Sequence, residues 1–253
     1  MYDWPEIRDA TDRLWQAVRE QLRERGIEAP EALDRRADPE TLWSNPALLL
    51  SQTCGYPYAT MLADEVTLVG TPAHAVTGAE PGRYFSVLVA RKSGAPRHLA
   101  DLSGKRFAYN MQHSQSGFAA PVRLLAAAGP APAPAPLETG AHRASILAVA
   151  AGKADWAAID AVTWELAKLH EPASRELTIF ARTPETPALP VITGLRHADQ
   201  ADIIADAFEA AIAGLDQQTR DAVLITGLRR SSPQDYAPLA APLPILEVFP
   251  NLA

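Results

Sequence analysis

Between residues 103 and 182 the chain alternates short apolar runs of strand length with longer runs at helical spacing, and this alternation narrows the available folds most. LSGKRFAYN is strand-like, SGFAAPVRLLAAAG helix-like, and residues 142–151 read as a second helix. DWAAID then reads as a buried strand, AVTWELAKLH as another helix and ELTIFAR as another strand. Strands that take turns with helices build mostly parallel α/β sheets, whose ligands sit beyond the strands' carboxyl ends.

The flanking segments extend the pattern. Asp3 is a candidate helix cap with Pro5 in the first turn, and Ile7, Leu14, Trp15, Val18 and Leu22 recur at helical spacing up to Gly26. Residues 47–52 read as a buried strand and residues 53–58 as a loop at its carboxyl end. EVTLVGTP is a short strand and RYFSVLVARKSG a longer one. The pattern restarts near residue 90, which predicts two α/β units. GPAPAPAPL is a Pro/Ala connector expected to be extended, and TPETPALPVITG is a Pro-punctuated extended segment. ADQADIIADAFEAAIAGL is an amphipathic helix with Ile203, Ile204, Ala207, Phe208, Ala211, Ile212 and Leu215 on one side. One more helix is expected near 216–224, before a Pro-rich tail, and no fixed-period repeat points to a solenoid.

Composition removes several function classes. The 253 residues are 47% hydrophobic, enough for a real core in one large domain or two lobes. A formal charge of −7 with scattered basic residues argues against a nucleic-acid surface, which needs clustered Lys and Arg. A small anion remains possible, because a pocket of amide and hydroxyl donors holds one without net positive charge. Cys54 is the single cysteine, so no intramolecular disulfide and no Cys-rich metal site is expected, and a small buried Cys is the preferred reading of it. No apolar run has the length of a membrane span. The start MYDWPEIRDATDRLW has acidic residues where a secretory leader has a basic end and an apolar stretch. The chain as written is therefore expected in the cytoplasm unless a leader is removed.

The chemistry concentrates in NMQHSQSG, residues 110–117, at a strand-to-helix junction. The hydroxyls of Ser114 and Ser116, with the free N–H groups of a first helical turn at Gln115 and Gly117, would converge on an anion, and the helix dipole would favour it. Alternatively, one serine merely caps the helix. The stretch is no Walker loop, since GK[ST] is missing. His142, again just ahead of a helical run, could donate to an anionic oxygen or be a surface or capping residue. Asp160 closes the apolar strand AAID, where it could accept from a protonated ligand oxygen or cap the next helix. Thr53, Tyr56 and Tyr58 in TCGYPY, and Tyr84 at the start of YFSVLVAR, suit a ligand cleft as a set, although single tyrosines are more often packing residues.

In order along the chain, LLLSQTCGYPY, VGTP, PGRYFSVLVARKSG, LSGKRFAYNMQHSQSG, TGAHRASILAVAAGKADWAAID and TPALPVITG resemble the phosphate, phosphite and phosphonate binding components of ABC importers, the PhnD-like family. The resemblance implies a type 2 periplasmic-binding-protein fold: two α/β lobes joined by two hinge segments, near 86–91 and 186–193, with ligand trapped between the lobes as they close. Lobe 1 would be 1–88 plus 190–253 and lobe 2 would be 89–189. Carried over residue by residue, it puts Ser114 and Ser116 in the serine-rich loop that cradles a tetrahedral oxyanion, with Gln115 where some members have Thr. Tyr84 matches a cleft tyrosine, His142 the histidine before the next helix, and Asp160 falls close to a ligand-facing polar position.

What the resemblance implies is a periplasmic, monomeric solute-binding protein without catalytic activity, metal or cofactor, which takes a small anionic ligand and partners an ABC permease. An enzyme of cofactor biosynthesis on the same fold, with Cys54, His142 and Asp160 as its groups, is the alternative, followed by a cytoplasmic ligand sensor. Neither HExxH nor GxSxG occurs in the sequence.

Overall fold

The computed structural model describes residues 2–129 and 136–249. Residues 130–135 of the Pro/Ala connector and 250–253 of the tail lie outside the described residues. The elements begin with α1 (Arg8–Glu24), α2 (Pro39–Trp43), β1 (Ser51–Gln52), α3 (Gly55–Pro57), β2 (Val66–His74), β3 (Arg83–Tyr84) and β4 (Ser86–Arg91). Next come β5 (Phe107–Tyr109), α4 (Ala120–Ala128), β6 (Leu137–Glu138), α5 (His142–Ala150), β7 (Trp156–Asp160), α6 (Ala161–His170) and β8 (Leu177–Arg182). The chain ends with β9 (Thr186–Pro187), β10 (Val191–Gly194), α7 (Ala201–Gly214), α8 (Gln217–Val223), β11 (Ile225–Arg229), α9 (Pro233–Tyr236) and α10 (Ile245–Val248).

The chain forms two compact units, Met1–Arg83 with Pro187–Ala240, and Tyr84–Thr186 with the tail from Ala241. It passes from one to the other within β3, within β9 and after Ala240. The segment 86–91, expected as a crossing, is instead β4, a strand inside the second unit whose residues Val87–Ala90 are buried between two neighbours.

In the first unit the strands run in the order β1-β10-β2-β11, and all three pairings are antiparallel. Trp15, Val18 and Leu22 of α1 share a core with Ile204, Phe208 and Ala211 of α7, the faces that the helical spacing marks out. A second cluster joins Trp43, Leu48, Tyr58, Leu62 and Tyr236.

The second unit has the strand order β6-β5-β7-β4-β8. β5 is parallel to β6 and β7, as expected of strands linked through α4 and α5. β4 is antiparallel to both β7 and β8. The expectation of mostly parallel sheets is thus corrected. β4 reaches its neighbours only through later parts of the chain, so no strand-helix-strand crossover sets its direction.

Other differences are local. Asp3 does not cap α1; its carboxylate pairs with Arg35, 2.5 Å from Nε, and Trp4 precedes the first turn. The expected strand 47–52 shortens to β1, and the expected loop 53–58 winds into α3 and a π-helical turn, Tyr58–Leu62. α8 ends where expected, at Leu224, a non-glycine residue in the left-handed region at φ 55°, but β11, which follows it and pairs with β2, is a strand that the sequence reading lacks.

The tail joins the second unit, whereas the sequence places it with the first. The reason is aromatic packing: Phe249 stacks on Phe107, ring centroids 5.6 Å apart and 6° between planes, and Phe107 stacks on Trp156 at 4.1 Å. Arg123 also donates to the Ala241 carbonyl at 2.8 Å. Phe249→Ala is expected to lower stability by about 3–5 kcal/mol, read from denaturant unfolding of the full chain. A loss below about 1 kcal/mol would mean that the tail contributes no core.

Candidate functional site

The motif residues lie where β5 gives way to α4. Gln115–Ala119 form a π-helical turn that runs straight into α4, with the Ala119 amide donating to the Ser114 carbonyl at 2.9 Å. Such wide turns occur mostly as single insertions and often at functional sites. Ser114 caps this turn, its Oγ accepting from the Gly117 amide at 3.1 Å. The capping reading of one serine is therefore what the geometry shows, and Ser116 is left for other work.

Ser116 Oγ lies 2.9 Å from Nε2 of His142, the first residue of α5. The loop ahead of α5 is fixed to the end of β5: Gly140 donates to the Asn110 carbonyl at 2.9 Å and Thr139 Oγ1 to the Tyr109 carbonyl at 2.9 Å. Ser86, at the start of β4, donates from Oγ to the Ser116 carbonyl at 2.7 Å, and across the sheet Ser86 is paired with Asp160. The carboxyl ends of β5 and β7 and the amino end of antiparallel β4 thus gather at one edge of the sheet, where α/β folds place their ligands.

Gly117 makes the meeting possible. A Cβ there would sit 1.9 Å from Asn110 Oδ1 and 3.0 Å from His142 Cε1. Absence of a side chain is needed for close approach, with no unusual backbone angle involved.

Several polar atoms in this region are buried without a hydrogen-bond partner among the described residues: Asn110 Oδ1 and both amide atoms of Gln115. Gln115 is 1% exposed. Buried polar groups are almost always satisfied, and leaving one bare costs about 1–3 kcal/mol. So dense a group of bare atoms beside two serines makes this junction the candidate site.

Burial pushes His142 down to about 4, against a weaker pull from the Ala158 carbonyl, so the ring is neutral at pH 7. If Nε2 carries the proton and donates to Ser116, the serine hydroxyl can donate onward; if Nε2 accepts, Ser116 offers only lone pairs.

Among the other sequence candidates, Asp160 is 2% exposed and caps α6, its Oδ1 accepting from the Thr163 amide at 2.9 Å. Tyr84 is buried at the entry to the second unit. Thr53, Tyr56 and Tyr58 belong to the first unit. Thr53 donates its amide to the Pro190 carbonyl at 3.0 Å and has a buried Oγ1 without a hydrogen-bond partner among the described residues. Tyr56 accepts at its carbonyl from Thr60 Oγ1. Tyr58 is a core residue that meets Tyr236 edge-on at 5.0 Å. Cys54 is buried.

Sequence reasoning missed Asn110 and Ser86. Asn110 opens the same stretch as the serines and could have been found as a polar residue at a strand's carboxyl end. Ser86 carries no such signal inside SVLVAR; only strand register brings it to Ser116. Among the described residues no group of three His, Cys, Asp or Glu could hold a metal ion, and no helix is long and apolar enough to cross a membrane.

The half-buried His142, whose ring is desolvated, is expected to make stability depend on pH. The unfolded chain takes up a proton near pH 6.5 and the folded protein only near pH 4, so this contribution is full above pH 6.5 and is lost as pH falls towards 4. The expected slope is about 1.4 kcal/mol per pH unit. His74 in the first unit, also pushed down to about 4 by burial, adds a like amount. Denaturant unfolding at pH 7 and pH 5 should show His142→Gln removing its share of the loss; an unchanged slope would place the titrating group elsewhere.

The model of a known family, the periplasmic substrate-binding protein of phosphonate ABC transporters, matches residues 50–236. No curated protein matches the chain. Among solved structures, a Xanthomonas citri protein bound to chloride ion superposes with a TM-score of 0.70 at 17% identity, covering 95% of this chain and 94% of its own. PhnD1 from Prochlorococcus marinus in complex with methylphosphonate gives 0.69 at 18% identity, over 92% and 91%. The binding protein component of an ABC phosphonate transporter from Pseudomonas aeruginosa gives 0.69 at 17% identity, over 89% and 78%. At these identities the structures establish the type 2 periplasmic-binding-protein fold. The family match runs from just ahead of β1 through β3–β9 to the end of α9, and the chain belongs to the family of periplasmic substrate-binding proteins of phosphonate ABC transporters.

Proposed function

We propose that the protein captures a small phosphorus oxyanion, of phosphate, phosphite or phosphonate type, at the cluster formed by Ser114, Gln115, Ser116, Gly117 and His142, and hands it to an ABC permease. Members of the family are binding proteins, not enzymes. The observation that carries the ligand class is the set of buried, bare polar atoms at Asn110 and Gln115 around the head of α4. The helix head supplies dipole and amide donors, and Ser116 supplies a hydroxyl proton in the tautomer in which His142 Nε2 donates to it.

The same set contains acceptors as well as donors. Asn110 Oδ1 and Gln115 Oε1 would meet the proton of a P–OH group, whereas a fully deprotonated oxygen would be repelled there. Sulfate, which has no proton at neutral pH, is expected to bind much more weakly than phosphate or methylphosphonate.

Calorimetric titration with phosphate, phosphite, methylphosphonate and sulfate tests this reading. Ser116→Ala should weaken the preferred phosphorus oxyanion about ten- to a hundredfold, as expected for a hydrogen bond to a charged group worth about 1.5–3 kcal/mol. Gly117→Ala, by forcing Asn110 and His142 apart, should abolish measurable binding while the protein still unfolds cooperatively. Parent-like affinity in both variants, or no phosphorus oxyanion bound at all, sinks the proposal.

A further inference from the structure

The first unit contains a cavity of about 160 Å³, remote in sequence from the serine-rich junction. Its walls include Leu14, Trp15 and Val18 of α1, Phe208 of α7, Val191 of β10 and His74 of β2. Tyr2 meets His74 edge-on, ring centroids 5.1 Å apart, so an aromatic pair forms part of the lining. Its neighbour Asp3, which also lines the cavity, is held through Arg35, itself paired with Asp12 at 2.8 Å. Ser51 and Gln52 of β1 add polar groups.

Protein interiors are packed like organic crystals and keep few voids larger than a water molecule. In the second unit the aromatics fill their own core, Phe107 lying flat on Trp156 and Phe249. In the first unit Tyr2, Trp15, His74 and Phe208 border a space instead of filling it. An apolar cavity of about 150 Å³ is large enough to take one benzene ring.

We propose that this cavity is a binding site for a small uncharged molecule built on one aromatic ring with at most one hydrogen-bonding group. The ring fits the volume and gains edge and face contacts from the surrounding aromatics. One hydroxyl can be met by the His74 imidazole or the Gln52 amide. A carboxylate or an ammonium group would have to shed its water without a free counter-charge, since Asp3 is already engaged with Arg35.

Phenol is the probe, titrated into the isotopically labelled full chain and followed by NMR. Saturable shifts in α1, β2 and α7 are expected, with a Kd on the order of 0.1 mM, and the thermal midpoint should rise with phenol concentration. Benzoate and benzylammonium should bind at least about tenfold more weakly. Val18→Phe, which sets a ring into the cavity, should weaken phenol at least about tenfold; if that variant does not fold, Leu14→Phe at the partly buried edge replaces it. The proposal is overturned if neither phenol nor benzene gives saturable shifts, if benzoate or benzylammonium binds as well as phenol, or if the folded cavity-filling variant binds like the parent.

Discussion

A hydrogen atom where other residues carry a side chain, at Gly117, lets three segments of the second unit meet. The end of β5 brings Asn110, the head of α4 brings Ser116, and the head of α5 brings His142, and a methyl group would occupy the space they share. That contact places two helix heads side by side at one edge of the sheet. Nearby, Asn110 Oδ1 and both amide atoms of Gln115 are buried without a hydrogen-bond partner among the described residues. That desolvation is a cost the folded protein carries, and a polar guest at the bare atoms, as proposed, would offset it.

The two units solve the problem of an aromatic core differently. In the second, Phe107, Trp156, Phe118 and the late-arriving Phe249 form a stacked group behind the site, and the tail is drawn in because its phenyl ring completes that stack. A rigid backing suits a site whose hydrogen bonds depend on tenths of an ångström. In the first, the helical layer of α1 and α7 meets an antiparallel sheet with room left between them. Tyr236 anchors the other side of that unit, its hydroxyl donating to the Ala188 carbonyl at 2.8 Å and lying 2.6 Å from Thr71 Oγ1.

Much of the fold was legible because periodicity is a local property. The apolar face of α7, the buried strand WAAID and the helix after it are each announced by residues adjacent in sequence, and burial of those faces is what the structure shows. The serine-rich junction was legible for the same reason, since a strand end, a cap and a helix head fall within eight residues, 110–117. The errors share a cause. Asp3 found Arg35 instead of its own helix, β11 formed by pairing with β2 far earlier in the chain, and β4 took its direction from neighbours far along the chain. In each, a partner distant in sequence outweighed a local preference worth about 1 kcal/mol.

By itself, then, the order of residues determined the alternation of elements, the division into more than one α/β unit and the stretch that carries the polar chemistry, because these rest on spacing and capping within a few residues. Tertiary structure alone decided that Ser114 is spent on its helix while Ser116 faces His142, that Ser86 and Asn110 join them, that the tail closes the second core, and that a cavity opens in the first. Those outcomes depend on which side chains meet across the sheet and between helices. Close packing admits only one such arrangement at a time, and no window of sequence contains both partners.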